Sequence, residues 1–336
     1  MSSLSSTMRA VQVTKPGSAD NLTIGTVDKP VPSDNDLLVK VHSFALNRMD
    51  IMQRDGKYPV PPGASPILGV EFSGTVETAG ARTSKIKVGD RICGLLGGGC
   101  YAEYVLVPED LAIPIPDNVS FEKAAAFPEA QFTAYQSLFW INNLQEGEDV
   151  LIHAGASGVG LAAIQLAKWK KAKRIIATAG TESKLNHCKS HGATHAINYK
   201  SEDFKNKVAE ITDKRGVDCI VDFIGGSYWN SNIASLARDG RMCMLGFLGG
   251  MKVETDLSPL LLKRLKIEGS TLRSRDEPYQ AKLRAAVVRD VLPMLAAGTL
   301  DVKVDRVFDW KDVAEAHKHM EANSNEGKIV CNVTWA

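Results

Sequence analysis

The residues of this chain best suited to chemistry lie between Val150 and Leu161, where the apolar run Val150-Leu151-Ile152 meets Gly155, Ser157, Gly158 and Gly160 and continues as helix-forming sequence. That order predicts a strand, a tight turn and a helix. Peptide N–H groups and the positive end of the helix dipole converge at such a turn, which is where a pyrophosphate is best held. Gly155 is expected to permit the sharp turn, and Gly160 to let the helix pack close to its strand. The usual dinucleotide pattern has a second glycine at position 157. Here Ser157 stands in its place, followed by Gly158 and Val159, and its hydroxyl and amide are candidates for a phosphate. An ordinary strand-to-helix turn can have the same glycine content, so the cluster alone leaves both readings open.

A second signal comes from the next strand, expected over 174–178, which ends in Ala179-Gly180-Thr181. An NAD site usually closes this strand with Asp or Glu, which accepts hydrogen bonds from the ribose hydroxyls. Without that carboxylate a 2′-phosphate meets no repulsion, and Gly180 leaves it room. Lys184, in the first turn of the following helix, is the candidate cation, so NADPH is expected over NADH. Glu182 is the contrary sign, explained by its place at the helix start, where an acid favours the dipole. His187 and His191 share a helix face at a metal-binding spacing, yet no carboxylate completes a set. Arg273 and Arg275 stand beside Asp276 and Glu277, and the group is read as a solvated loop rather than an anion site.

These residues need a scaffold, and the composition supplies one. The chain has 336 residues, 44% of them hydrophobic and 24% charged, enough to bury a large core in about two domains. Its formal net charge of +1 provides no field for nucleic acid or an anionic membrane. The six cysteines are scattered without a close CxxC pair, so reduced, buried thiols and a cytoplasmic setting are expected rather than a zinc ribbon or disulfide framework. The Ser-rich start, Met1 to Thr7, has neither the apolar core of a secretion signal nor the arginines of a presequence, and is read as a disordered tail. No transmembrane segment is expected.

From Met8 to about Pro116 the sequence is β-rich and often broken by Gly and Pro. Strands are expected over 9–14, 37–44, 69–77, 90–95 and 101–107, which implies a compact β-barrel-like domain. Ser120 then caps helix-forming sequence, with a further helix over 133–140. Beyond it strands and helices alternate, which argues a doubly wound parallel sheet. The strands are expected at 150–153, 174–178, 218–223, 241–246 and 266–271. From about Arg273 the order is helix (280–297), strand (302–307), helix (310–322) and strand (328–333), a tail expected to return to the first domain. The domains are accordingly set at 8–128, 129–272 and 273–336.

The layout resembles the medium-chain dehydrogenase/reductase superfamily over nearly the whole chain after Thr7. Four motifs carry the likeness to its zeta-crystallin-like quinone oxidoreductases: Asn47-Arg48-Met49-Asp50; Gly69-Val70-Glu71-Phe72-Ser73-Gly74; Pro128-Glu129-Ala130 with Thr133-Ala134; and His153 through Gly160. The resemblance implies an N-terminal GroES-like β-barrel and a Rossmann domain that binds NADPH. The alcohol dehydrogenase branch has Cys at the position of Asn47 and His at that of Val70, and it carries four clustered cysteines in a zinc lobe. All are missing here, so no metal is expected. Nothing in the chain calls for flavin.

By the same resemblance, Tyr58 matches a tyrosine that lines the substrate cleft, while Met52 replaces a second one. Asn47 matches a residue near the nicotinamide whose amide could donate to a carbonyl; as a residue type it also suits the cap of the helix that follows. Asp50 is expected to orient neighbours rather than transfer a proton. Thr133 and the loop Gly246-Phe247-Leu248 are expected at the nicotinamide, and Tyr199 beside the 2′-phosphate with Lys184. The implied activity is NADPH-dependent reduction of quinones directly from the nicotinamide. Reduction of conjugated enones or alkenals is the alternative, as is a crystallin-like structural protein that binds nucleotide without turnover. A homodimer is expected through the last strand of the nucleotide sheet, which would otherwise be an unpaired edge.

Overall fold

A computed structural model describes residues 6–335. Most of the expected Ser-rich tail, Met1 to Ser5, lies outside them. The described part of that stretch is not a tail: the Ser6 carbonyl accepts the Lys29 N–H and Thr7 opens the first strand. The chain forms two compact units, one from the residues up to Glu129 with those from Arg273 onward, the other Ala130–Leu272.

The first unit begins with β1 (Thr7–Val13), β2 (Leu22–Asp28), β3 (Asp36–Ala45), α1 (Arg48–Arg54), β4 (Glu71–Ala79), β5 (Arg91–Leu95), β6 (Tyr104–Pro108), β7 (Ile113–Pro114) and α2 (Phe121–Ala125), with α3 (Pro128–Tyr135) crossing into the second unit. Ser120 does cap α2, accepting the Lys123 N–H through its hydroxyl. β2 is hard to see in sequence because Gly25 and exposed Thr residues blur its alternation; it pairs antiparallel with β1 over seven positions.

The second unit holds β8 (Asp149–Ile152), α4 (Gly158–Trp169), β9 (Arg174–Ala179), α5 (Glu182–Ser190), β10 (His195–Asn198), α6 (Phe204–Ile211), β11 (Val217–Asp222), α7 (Trp229–Ser235), β12 (Leu236–Met244), α8 (Ser258–Leu262) and β13 (Lys266–Gly269). Its six strands run parallel in the order β10-β9-β8-β11-β12-β13, two βαβ halves wound outward from β8 and β11. β8 is buried at every position, as a central strand covered on both faces must be. The 133–140 segment is not one α-helix: α3 ends at Tyr135 and Gln136–Ile141 continues as a π-helical turn. β10 and α6 go beyond the elements expected from sequence, although Phe204 and Val208, four apart, form α6's buried stripe.

The first unit is completed by α9 (Glu277–Asp290), α10 (Leu292–Ala296), β14 (Val304–Asp309), α11 (Val313–Glu321) and β15 (Lys328–Asn332). The helix expected over 280–297 breaks at Val291, because Pro293 has no N–H to continue it. The returning tail adds two strands to the sheet β14-β15-β3-β4-β5-β7, with β6 also on β3. Trp310, Phe44, Phe72 and Tyr101 fill the core between its faces.

Candidate functional site

In the first unit the site is built where β3 runs out into α1. Asn47 holds the N-cap position in extended conformation, and the carboxylate of Asp50, three residues on, accepts its backbone N–H at 2.7 Å. That is the return half of a capping box. The Asn47 side chain meanwhile reaches across the sheet: Nδ2 donates to Glu71 Oε1 at 2.9 Å, and Oδ1 accepts from Lys328 Nζ at 2.6 Å. Lys328 also donates to the Leu46 carbonyl at 2.9 Å and pairs with Glu71 Oε1 at 2.6 Å. The other Glu71 oxygen accepts the Glu129 N–H at 2.9 Å. Glu71 and Lys328 are both buried, so each charge has its counter-charge and its hydrogen bonds in hand.

Behind this knot lies Asp50, fully buried. Burial pushes its carboxyl up to about 6, against the opposing pull of the Asn47 N–H, the Tyr101 hydroxyl and the Lys328 and Arg273 charges. Its Oδ2 accepts the Tyr101 hydroxyl at 3.1 Å, while Oδ1 has no partner among the described residues. Asp50 is anchored on α1's first turn.

Tyr58 sits in the loop after α1, partly buried, and burial raises its phenol above the ordinary value. The guanidinium of Arg273 lies 5.4 Å from the centre of its ring. Arg273 corrects the sequence reading: it is buried, not part of a solvated loop, donating to the Gly97 carbonyl and to Gln53 Oε1, both at 2.7 Å. Arg275 does stay exposed. Glu71, Lys328 and Arg273 are site residues that sequence reasoning misses. The available signal is a charged residue inside an apolar strand, Lys328 before Ile329-Val330 and Glu71 before Phe72.

In the second unit, β8 delivers His153 into the interior, where Nδ1 lies 3.0 Å from Thr178 Oγ1 and Nε2 2.7 Å from Asn232 Oδ1. Burial pushes this imidazole down to about 4, so it is a neutral tie between β8, β9 and α7. The turn that follows differs from expectation in its mechanics. The left-handed residue is Ala154, at φ 47°, and not Gly155. Gly155 is required for a different reason: a Cβ there would fall 2.8 Å from Cys188 Sγ and 2.9 Å from Ala177 Cβ. At Gly160 a Cβ would come within 2.4 Å of the Ala154 carbonyl oxygen.

Ser157 caps α4, its Oγ accepting the Gly160 N–H at 3.0 Å, and its own N–H is spent on the Ala154 carbonyl. The Ser157 amide is therefore unavailable to a phosphate, contrary to the sequence reading. The N–H groups of Gly158 and Val159 have no partner among the described residues, and they stand at the positive end of a 12-residue helix. A pyrophosphate fits this turn.

β9 ends at Ala179 with no acid, and at Gly180 a Cβ would meet Tyr199 Oη at 2.7 Å and Lys200 Cε at 3.1 Å. Tyr199 and Lys200 are exposed and lie over this glycine, while Lys184 stands in the first turn of α5. Lys200 is a cation absent from the sequence-based set, although it adjoins Tyr199. Of the loop Gly246-Phe247-Leu248, the Leu248 N–H is taken by the Phe223 carbonyl, leaving those of Gly246 and Phe247 without a partner among the described residues. Thr133 lies nearly buried on α3.

Comparison with known proteins identifies the family and the fold. The model of the alcohol dehydrogenase GroES-like domain matches residues 33–117, and that of the zinc-binding dehydrogenase matches residues 158–287. The quinone oxidoreductase-like protein 2 of Bos taurus is 30% identical over 300 residues, covering 89% of this chain and 85% of its own. The crystal structure of Escherichia coli quinone oxidoreductase complexed with NADPH superposes with a TM-score of 0.85 at 28% identity, over 97% of this chain and all of that one. This chain belongs to the zinc-free, quinone oxidoreductase-like branch of the medium-chain dehydrogenase/reductase family.

The branch combines a GroES-like domain with a Rossmann-like parallel sheet, as here. A family member can also be one segment of a far larger protein. Over 327 residues this chain is 32% identical to a phenolphthiocerol/phthiocerol polyketide synthase of Mycobacterium tuberculosis, but it spans only 15% of that protein's length. Against the description of its second family model, this family member has Asn47 and Val70 at the two positions where the alcohol dehydrogenase branch carries zinc ligands, and Asn47 Oδ1 faces an ammonium.

Proposed function

We propose that the protein is an NADPH-dependent reductase of quinones that uses neither metal nor flavin. The observation that carries this is the Asn47 carboxamide, held by Glu71 and Lys328 with one N–H unspent, a neutral donor suited to a carbonyl oxygen that gains charge. When bound, the nucleotide supplies a hydride from its reduced nicotinamide ring. On the protein's side, the N–H groups of Gly158 and Val159 take the pyrophosphate, while Gly155, Ser157 and Gly160 shape the turn that presents them. Lys184, Tyr199 and Lys200 receive the 2′-phosphate, and Thr133 with the Gly246-Phe247-Leu248 loop positions the carboxamide end. Asn47 donates to the acceptor's carbonyl, with Tyr58 as a second donor. Quinones suit such a site because conjugation already lowers their barrier to accepting electrons. A panel of quinones, enones and alkenals, with NADPH oxidation as the readout, tests the proposal. Faster turnover of enones or alkenals would give the activity to them, and no turnover with any acceptor would leave a nucleotide-binding structural protein.

A homodimer through the edge of the parallel sheet is part of this reading, and the edge supports it. β13 is the edge of the parallel sheet, and Met251, Leu257, Leu261 and Leu262 just before it are all more than 60% exposed. An open edge beside apolar surface is a liability unless covered. Light scattering should give a dimer at micromolar concentration; a monomer would refute it. The six cysteines are all free and buried, which fits a cytoplasmic location. No described helix is long and apolar enough to cross a membrane.

A further inference from the structure

The knot around Asn47 costs the fold something that stability does not explain. A buried ion pair is often no more stabilising than apolar residues of the same size, yet Glu71 and Lys328 come from strands β4 and β15 to meet at one asparagine. Lysine has only donors and a carboxylate only acceptors, so their contacts permit a single orientation of the amide. Its oxygen faces the ammonium at 2.6 Å and one of its hydrogens faces the carboxylate, at an Nδ2 to Oε1 distance of 2.9 Å. The second hydrogen has no partner among the described residues, and Asn47 is only partly buried.

We propose that Lys328 and Glu71 are positioning residues: they lock the Asn47 carboxamide with its free N–H outward, so that the site takes acceptors by a bare conjugated carbonyl oxygen. The inference rests on the reading above, in which Asn47 meets the acceptor. The Lys328 charge on the amide oxygen also draws electron density from the nitrogen, which strengthens the outward N–H as a donor. During reduction a hydride given up by a bound reduced nicotinamide, which is thereby oxidised, would form a C–H bond at the carbon β to the carbonyl, and the C=C pair shifts toward the carbonyl carbon. The carbonyl π pair moves onto oxygen, the Asn47 N–H holds the resulting oxyanion, and water later supplies the proton. Without the clamp the amide can turn its oxygen outward, which repels that charge.

The test compares Lys328→Met, Lys328→Arg, Asn47→Ala and the Lys328→Met/Asn47→Ala double variant, with NADPH affinity and thermal unfolding as controls of folding. With 1,4-naphthoquinone, Lys328→Met should lose about tenfold or more in kcat with KM little changed, as for loss of a transition-state donor. Lys328→Arg should recover most of the loss. In the double variant Lys328→Met should add almost nothing to Asn47→Ala, because it acts through that amide. Fully additive losses, or an unchanged kcat in Lys328→Met, would overturn the proposal. A second measurement needs no turnover: in wild-type protein labelled with nitrogen-15, 1,4-naphthoquinone added without nucleotide should move one Asn47 side-chain proton downfield and leave its partner in place. Movement of neither proton, or of both alike, counts against the clamp. This readout does not depend on Lys328→Met folding, and if that variant does not fold, Glu71→Gln takes its place in the kinetic comparison. It also separates the two ideas: a wild type that reduces no acceptor refutes the activity, while the amide signal still judges the clamp.

Discussion

Arg54 Nη1 lies 3.4 Å from His317 Nδ1, and this contact sets the direction of a buried hydrogen-bond chain. An arginine only donates, so Nδ1 must accept and Nε2 carries the proton. Nε2 therefore donates to Tyr101 Oη, 3.3 Å away, and Tyr101 donates to Asp50 Oδ2. The order Arg54, His317, Tyr101, Asp50 runs one way only. It holds Asp50 in place beneath Asn47 and offers no return path for a proton, because the arginine end neither accepts nor releases one.

That chain predicts an acid sensitivity. Burial, then the Arg54 charge, push the His317 imidazole down to about 3, against 6.5 as its ordinary value. Below pH 6.5 the unfolded chain binds a proton that the folded one refuses, so this contribution to stability is lost as pH falls from 6.5 toward about 3. The loss is roughly 1.4 kcal/mol per pH unit. His317→Gln, which can still accept from Arg54 and donate to Tyr101, should flatten the decline. Urea unfolding of both proteins across this range checks it, and an equally steep decline in the variant would remove His317 as its source.

Nucleotide preference should reside in two lysines. A charge-assisted contact to phosphate contributes on the order of 1.5 to 3 kcal/mol. Lys184→Ala and Lys200→Ala should each weaken NADPH about tenfold and leave NADH nearly unaffected. Dissociation constants for both nucleotides decide it. Equal losses for the two, or a wild type that prefers NADH, would count against this pocket.

Tyr58→Phe should lower turnover modestly. A single donor to a developing oxyanion contributes roughly 3 kcal/mol at best, and Tyr58 is only partly buried. Steady-state kinetics with several acceptors are the measure; unchanged values would make Tyr58 a packing residue against Arg273.

Metal chelators should leave activity untouched. The Lys328 ammonium at 2.6 Å from Asn47 Oδ1 puts fixed positive charge where a cation would have to bind. Activity that collapses in chelator and returns with zinc would contradict this.

The parallel sheet is legible in sequence because each strand and the helix after it lie together: the apolar run 150–152 and the glycines at 155, 158 and 160 announce β8, its turn and α4 locally. The same holds for the missing acid after β9. The polar knot is not legible, because Lys328 lies 281 residues from Asn47 and they meet only through the antiparallel pairing of β15 with β3. Arg273 misleads for a related reason. Its neighbours in sequence are charged and exposed, but its neighbours in space are Gly97, Gln53 and Tyr58. Ser157 marks the limit of motif reasoning at close range: its side chain completes the helix it introduces.

The pairing of β15 between β14 and β3 also bears on how the protein is made. Ala130–Leu272 is continuous in sequence, so all six strands of its sheet exist once β13 has left the ribosome. β3 must wait much longer for its partner. Until β15 emerges, the stretch Ser43–Ala45 presents an open edge, a hazard for a nascent chain among its neighbours. On the proposed reading, a growing polypeptide would complete its nucleotide sheet while its asparagine still swung unclamped.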